Sequence, residues 1–328
     1  MKKGFYAIWL AGFALLLALI ARQGFFEVSS ALAVAGFGMI WVTAYHLVPL
    51  FADTLAWRFL LPRRHHLPLL DLLWMRWLAE SVNSLLPVAQ LGGEFLKTRL
   101  LMLRRIPGAT AGASAVGDLT TTVIAQVVFC AVGVLLLAQY SNSGAAAWEL
   151  LAGLGVLALL IVGFYVAQRA GLFFYLARGL ERIGGEREWL SLSGSAAVLD
   201  RAVNTLYQRQ SAFWAACLFH LMGWIMGTGE VWLALYFLGY PVTLAEAFIL
   251  ESLITAVRAA AFAVPGALGV QEGGLMVIAP LVGLSPETGL SLSLARRVRE
   301  LTLGLPGLIA WHVAEARHAV GRGVSRRA

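Results

Sequence analysis

Stretches of some twenty mainly apolar residues recur along this chain from one end to the other, and a spanning helix needs roughly that length. None alternates with the period of two that barrel strands require. Inside a bilayer every backbone N–H and C=O must find a partner within the protein, so the pattern predicts an all-α polytopic membrane protein. Composition agrees. Of the 328 residues, 59% are hydrophobic and 13% are charged, against about 25% charged in a soluble domain. That excludes a soluble enzyme with a membrane tail, a disordered chain and a disulfide scaffold. The two cysteines, Cys130 and Cys217, lie in apolar stretches and read as small buried residues rather than metal ligands.

The formal charge is +7, but its distribution tells more than its sum. Lys2, Lys3, Arg63, Arg64, Arg104, Arg105, the arginines of 169–187 and those of 317–327 gather at one set of helix ends. The opposite ends hold little beyond Arg22. This positive-inside asymmetry predicts an inner-membrane protein with both termini in the cytoplasm. The basic balance therefore reads as topology and contact with anionic lipid. Nucleic acid is not expected as a partner, because the basic residues form no aromatic-interleaved module. Met1-Lys2-Lys3 with the apolar run Phe5–Ala21 reads as a first, uncleaved helix.

Further spans are expected at about 31–61, 67–86, 109–140, 148–167, 212–238 and 244–264, with short apolar segments at 92–105 and 268–284. A last span opens at Ser285-Pro286-Glu287 and ends near Trp311, before a frayed basic tail. The expected fold is six to eight spanning helices plus two broken or re-entrant hairpins. Residues 168–210 form the main polar stretch and read as amphipathic helices on the cytoplasmic face. They connect two halves, with a headgroup or partner role as the alternative.

The two interrupted segments look alike. One reads Pro87-Val-Ala-Gln90-Leu-Gly92-Gly93-Glu94, the other Pro265-Gly266-Ala-Leu-Gly-Val-Gln271-Glu272-Gly273. In each, a glutamate follows the proline by seven residues and adjoins glycine. Pro87, Gly92, Gly93, Pro265, Gly266 and Gly273 are the expected break residues. The same offset relates Glu80 to Arg258 and Asp118 to Arg296, with the sign of charge exchanged. That exchange would suit pairing across a two-fold interface. Three spans separate the breaks, so residues 31–140 and 212–312 are expected to form inverted repeats. The first hairpin would enter from the cytoplasm and the second from outside. Paired interrupted segments point to a transporter-type binding site. Irregular backbone at membrane depth needs cover from protein or water, so the two tips are expected to meet around a polar cavity.

Each charge inside a spanning segment costs at least roughly 2.5–3.5 kcal/mol. This chain holds many: Arg76, Glu80, Glu94, Arg99, Asp118, Glu230, Glu251, Arg258, Glu272, Arg296, Arg297, Arg299 and Glu300. Together they imply a polar path or headgroup pocket, although paired ions can also serve only to fix packing. Glu94 and Glu272 stand at the breaks, beside helix N-termini that offer N–H donors to an anion; each could equally cap its own half-helix. Arg99, Arg296 and Arg299 are the expected anion contacts, since a guanidinium grips phosphate with a two-toothed fork. Arg297 could instead snorkel to the interface. Arg76, Glu80, Asn83, Gln90, Asp118, Arg258, Gln271 and Glu300 complete the expected substrate or transport path. His46, Asp53, His220 and Glu230 precede the breaks, where a proton relay is conceivable beside the blander uses of membrane histidines. No nucleotide loop, zinc spacing or hydrolase elbow occurs, and no cofactor or metal is expected.

Arg76-Trp77-Leu-Ala-Glu80-Ser81-Val-Asn83-Ser84-Leu-Leu-Pro87, the Gly92-Gly93-Glu94 phrase and Arg99-Leu-Leu together resemble the lysylphosphatidylglycerol synthase transmembrane-region, or flippase-like, family. Pro265 through Gly273, Arg296-Arg-Val-Arg299-Glu300-Leu, Gly304-Leu-Pro306-Gly307 and Asp118-Leu-Thr120 with Gln126 are similar to further signatures of that family. The branch it resembles is that of hopanoid-biosynthesis-associated membrane proteins. The resemblance implies movement of lipids between leaflets, and the two expected inverted halves suggest a transporter without ATPase parts that works by alternating access. The cargo would be a polar or anionic lipid, hopanoid-related if the branch holds. One branch of the family carries a soluble aminoacyl-transferase domain; this sequence reaches Ala328 without one, so synthase activity is not expected. Two alternatives stand: a membrane enzyme using intramembrane carboxylates as acid and base, and an accessory factor that scaffolds lipid-biosynthesis membrane enzymes.

Overall fold

The computed structural model describes residues 36–65, 67–86, 92–141, 190–261 and 264–325, with short pieces between 155 and 172. The helix expected at Phe5–Ala21, most of the span at 148–167, and Pro87 and Gln90 lie outside the described residues. Every described element is helical.

Two short helices, α1 (Gly38–Tyr45) and α2 (Leu47–Leu60), follow one another across His46. Pro49 explains the junction: it has no N–H for the Tyr45 carbonyl and its ring crowds that oxygen. Together the pair makes an apolar unit of 23 residues, Gly38–Leu60, long enough to cross a membrane. Next, α3 (Leu69–Leu85) stops where Leu86 turns extended, at φ −99° and ψ 149°. The following residue is Pro87, whose ring pushes its predecessor out of the helical region. The short α4 (Gly92–Leu103) leads to the 34-residue α5 (Gly108–Ser141).

After α6 (Leu190–Gln208) and α7 (Gln210–Phe237) comes α8 (Leu244–Ala260). Thr243 and Glu246 cap α8 reciprocally: the Thr243 hydroxyl accepts from the Glu246 amide and the Glu246 carboxylate accepts from the Thr243 amide. A 3-10 turn at Pro265–Ala267 then carries Gly266 at φ 56°, and Gly269 sits at φ 75°, a region where glycine is free of the Cβ penalty. The chain resumes as α9 (Val270–Ile278), passes a 3-10 turn at Ala279–Val282, and ends in α10 (Pro286–Ser325). The last helix overruns its expected end at Trp311, because 312–320 holds no glycine or proline to stop it. Pro306 sits inside α10.

α3 and α8 are both 17 residues long, and each precedes a short helix and then a long one. The starts of α4 and α9, and of α5 and α10, are as far apart in sequence as Pro87 and Pro265. Packing follows the same scheme: α2 lies along α7, α5 packs on α8, and α10 packs on α3. Small residues let these pairs approach closely, as membrane helices require. A Cβ at Gly133 of α5 would come within 1.7 Å of Ser252 Oγ on α8, and one at Gly307 of α10 within 2.0 Å of Ser81 Oγ on α3.

Three apolar cores fill the interior. One gathers Leu250, Ile254, Leu275 and Leu292 between α7, α8, α9 and α10. Another gathers Trp57, Met75, Leu78 and Leu101 between α2, α3 and α4. A third joins α6 to α2, α5 and α7 through Leu60, Val203, Leu206 and Phe213. α6 is amphipathic as expected, with Val203 and Tyr207 buried and Arg201 exposed. Ile40, Phe51, Leu135, Ile225, Leu305 and Ile309 point outward, an apolar exterior suited to lipid. Gly38–Leu60, Gly108–Tyr140 and Gln210–Phe237 are the described units both long and apolar enough to span. The protein is an all-helical membrane protein. Buried charges lie on α4, α5, α7, α8, α9 and α10, among them Lys97, Asp118, Glu230, Glu251, Glu272 and Arg296.

Candidate functional site

A buried charge network lies beside each of the two helix interruptions. The first is built on Asp118 of α5. Its Oδ2 accepts from Arg76 Nη1 of α3 at 2.5 Å and also binds Lys97 of α4. Lys97 reaches back one turn to Glu94 Oε2 at 2.7 Å and lies over the Trp57 ring. The other oxygen of Asp118 faces His220 Nε2 of α7 at 2.9 Å, and His220 Nδ1 faces Asp53 Oδ1 of α2 at 2.7 Å. Arg76 Nη2 closes the circuit onto Asp53 at 3.4 Å. Asn83 then ties the break itself, accepting from the Gly93 amide at 2.7 Å. Gly93 is needed there, because a Cβ would lie 2.6 Å from the Ala79 carbonyl oxygen.

The second network is built on the arginines of α10. Arg297 Nε donates to Glu272 Oε1 and its Nη1 to Glu300 Oε2, both at 2.8 Å. Glu272 spends its other oxygen on the Gly269 amide at 2.7 Å, capping α9. Arg296 pairs with Glu251 of α8, and Arg299 Nη1 donates to Glu230 Oε2 of α7 at 3.0 Å. Arg258 binds Gln271 and reaches Glu300 at 3.2 Å, while Gln271 Nε2 donates to Ser293 Oγ at 2.9 Å. His46, at the α1–α2 junction, faces Glu230 Oε2 through Nδ1 and Glu80 Oε1 through Nε2, each at 2.7 Å, with Arg299 against its ring. A cleft lined by His46, Trp77, Glu80, Ser84, Arg299 and Glu300 opens between α3 and α10.

Taking such charges out of water costs several kcal/mol per ion, and good geometry with extra hydrogen bonds is what offsets it. Here nearly every carboxylate meets a cation. Even so, Arg296 Nε, Arg297 Nη2 and Arg299 Nε are buried with no acceptor among the described residues. A guanidinium has five N–H donors and no acceptor, so three adjacent arginines leave donors free for an anionic oxygen.

The second break lies against the last turn of α3. The Cβ position of Gly266 lies 3.0 Å from the Ser84 carbonyl oxygen near the end of α3 and 3.5 Å from Arg297 Nη1. The sign-exchanged positions do not pair, however. Glu80 goes to His46, Arg258 to Glu300, Asp118 to Arg76, and Arg296 to Glu251. Matching sequence offset equates positions within their own halves; contact depends on which face each helix turns to its neighbour. Arg99 is exposed on α4. The buried cation of that helix is Lys97, whose i,i+3 spacing from Glu94 was the available signal. Arg297 does not snorkel; it grips Glu272 and Glu300. The described residues contain no cluster of His, Cys, Asp and Glu suited to a metal ion.

The sequence model of a known family, the lysylphosphatidylglycerol synthase TM region, matches residues 6–307. No curated protein and no solved structure matches the chain.

Proposed function

Because the chain belongs to the lysylphosphatidylglycerol synthase TM-region family, we propose that it moves a polar or anionic lipid between the leaflets of a bacterial-type inner membrane. Both termini lie in the cytoplasm on this reading, by the distribution of basic residues. The observation that carries it is the placement of two buried charge networks beside the two helix interruptions, with Gly266 of the second set against Ser84 in the last turn of α3. Intramembrane charge on this scale is expensive and marks a substrate or ion path. A lipid headgroup enters between the halves while its chains stay in the bilayer. The spare donors of Arg296, Arg297 and Arg299 receive its anionic oxygens. The order of α3, α4, α5 against α8, α9, α10 supports two repeats; on this reading they are inverted and alternate access between them. The hopanoid-type signature favours a hopanoid-related lipid as cargo.

Leaflet exchange of fluorescent lipids in proteoliposomes tests this reading. Wild-type protein should exchange an anionic lipid at least tenfold faster than protein-free vesicles. Glu94→Gln and Glu272→Gln should each lose most of that rate while remaining monodisperse. Absence of exchange for every lipid offered, including hopanoid-related ones, would transfer the argument to a lipid-modifying enzyme or an assembly factor.

A further inference from the structure

His220 is fully buried on α7, yet both of its ring nitrogens face carboxylate oxygens. Nε2 lies 2.9 Å from Asp118 Oδ1 of α5, and Nδ1 lies 2.7 Å from Asp53 Oδ1 of α2. A neutral imidazole has one N–H and one bare acceptor nitrogen; only the imidazolium donates from both. A bare nitrogen set against a carboxylate oxygen would place two lone pairs face to face. The remaining groups around the ring are consistent with a charged form. Thr122 Oγ1 of α5 lies 3.0 Å from Nε2 and 3.2 Å from Nδ1, and a hydroxyl can accept as well as donate. Arg76 of α3 and Lys97 of α4 touch the far oxygens of the two aspartates or Glu94, not the ring.

Charge counting gives the same result. With its carboxylates ionised, the network sets Asp53, Glu94 and Asp118 against two cations, Arg76 and Lys97. It is one positive charge short, and the imidazole stands in the gap between two of the three acids. The second network offers a contrast. There Arg299 Nη1 lies against His46 Nδ1, so that nitrogen can accept from a guanidinium and a single N–H, on Nε2, is enough to serve Glu80. The inference therefore concerns His220.

We propose that His220 is a proton-binding site of this membrane domain, and that its proton is the ion coupled to lipid movement. The proton sits on the ring between α2, α5 and α7 and joins the three helices electrostatically. Its exit route is Asp53, whose side chain is 29% exposed, whereas Asp118 is sealed at 2%. On release, the proton leaves Nδ1 through the Asp53 carboxylate to water. What remains is three carboxylates facing two cations, an arrangement that α2 and α7 relieve by separating. A difference in proton concentration across the membrane can then bias which arrangement of the halves is populated. This coupling rests on the lipid-moving reading above.

The wild-type chain in lipid nanodiscs, labelled with 15N-histidine, tests the site directly. At pH 8 an ordinary imidazole, titrating near 6.5, is only about 3% protonated. Among the six histidines of the sequence, the resonance that disappears in His220→Gln should show both nitrogens protonated at that pH. A second variant, Asp53→Asn, should release that signal to the neutral form while His220 remains in place. Proteoliposomes then test coupling: an imposed pH difference should change net lipid movement at least fivefold in wild type and less than twofold in Asp53→Asn. A neutral His220 at pH 8 overturns the proposal, and that measurement needs no variant to fold beyond the one used for assignment. Should the folded wild type exchange lipid at a rate indifferent to the pH difference, coupling is overturned and the lipid reading survives. If it exchanges no lipid at all, both fall together.

Discussion

Arg297 on α10 donates from Nε to Oε1 of Glu272 at 2.8 Å, while Oε2 of the same carboxylate accepts from the Gly269 amide. One carboxylate thus closes the second helix break and neutralises the helix that follows it. Breaking a buried pair by removing one partner costs more than replacing both. Glu272→Gln and Arg297→Gln should each destabilise by about 3 kcal/mol. Their double variant should fall short of additivity by about 1–3 kcal/mol. Unfolding of the four proteins in mixed micelles checks this, and strict additivity would contradict the pairing.

Lys97 and Arg99 share α4, and only Lys97 is buried. Lys97→Met strips Glu94 and Asp118 of a shared cation. Such a loss should cost about 3–5 kcal/mol. Arg99→Met removes a charge on the exposed face, where even a paired ion is worth only about 0–1 kcal/mol. Thermal aggregation in detergent, read by size exclusion after heating, should separate the two clearly. Equal loss in both would show that burial does not decide the effect.

The first break depends on the close approach of Gly93 to α3. Asn83→Ala removes the acceptor of the Gly93 amide, at a cost of about 1–3 kcal/mol for a donor left unsatisfied. Gly93→Ala should be worse, since its Cβ would meet the Ala79 backbone oxygen, which cannot swing aside as a side chain can. Limited proteolysis of the 86–92 segment should report both, with Gly93→Ala cut faster. The reverse order would count against this account of the break.

Gly133 lets α5 settle against Ser252 of α8. Gly133→Ala should destabilise by about 1–3 kcal/mol, the usual cost of overpacking. Ser252→Gly, added to it, should restore part of that loss by removing the atoms in the way. A double variant no better than Gly133→Ala alone would place the α5–α8 contact elsewhere.

The helix breaks were legible because proline acts locally. Leu86 turns extended before Pro87, and Gly266 and Gly269 take up positive φ after Pro265. The intramembrane charges were legible one by one, and Glu272, Gln271, Arg258, Arg299 and Glu300 do fall in one network. Their partners were not. Glu80 and Arg258 occupy equivalent places beside the two breaks, yet one binds a histidine and the other Glu300. Lys97 looked like any lysine near a helix end until α5 closed over it with Asp118. His46 and His220 left both a proton relay and blander uses open on sequence, because each draws its two carboxylates from two other helices.

The sequence by itself determined that this chain is a helical membrane protein with two interrupted segments and many charges set within apolar stretches. It could do so because lipid penalises each unpaired backbone group and each charge residue by residue, with no reference to distant partners. Only the tertiary structure decided which ions pair. With at least six cations and eight carboxylates available to the two networks, many pairings satisfy the sequence. Coulomb attraction between buried groups falls with distance and selects among them only after helix rotation has set each side chain against its neighbour.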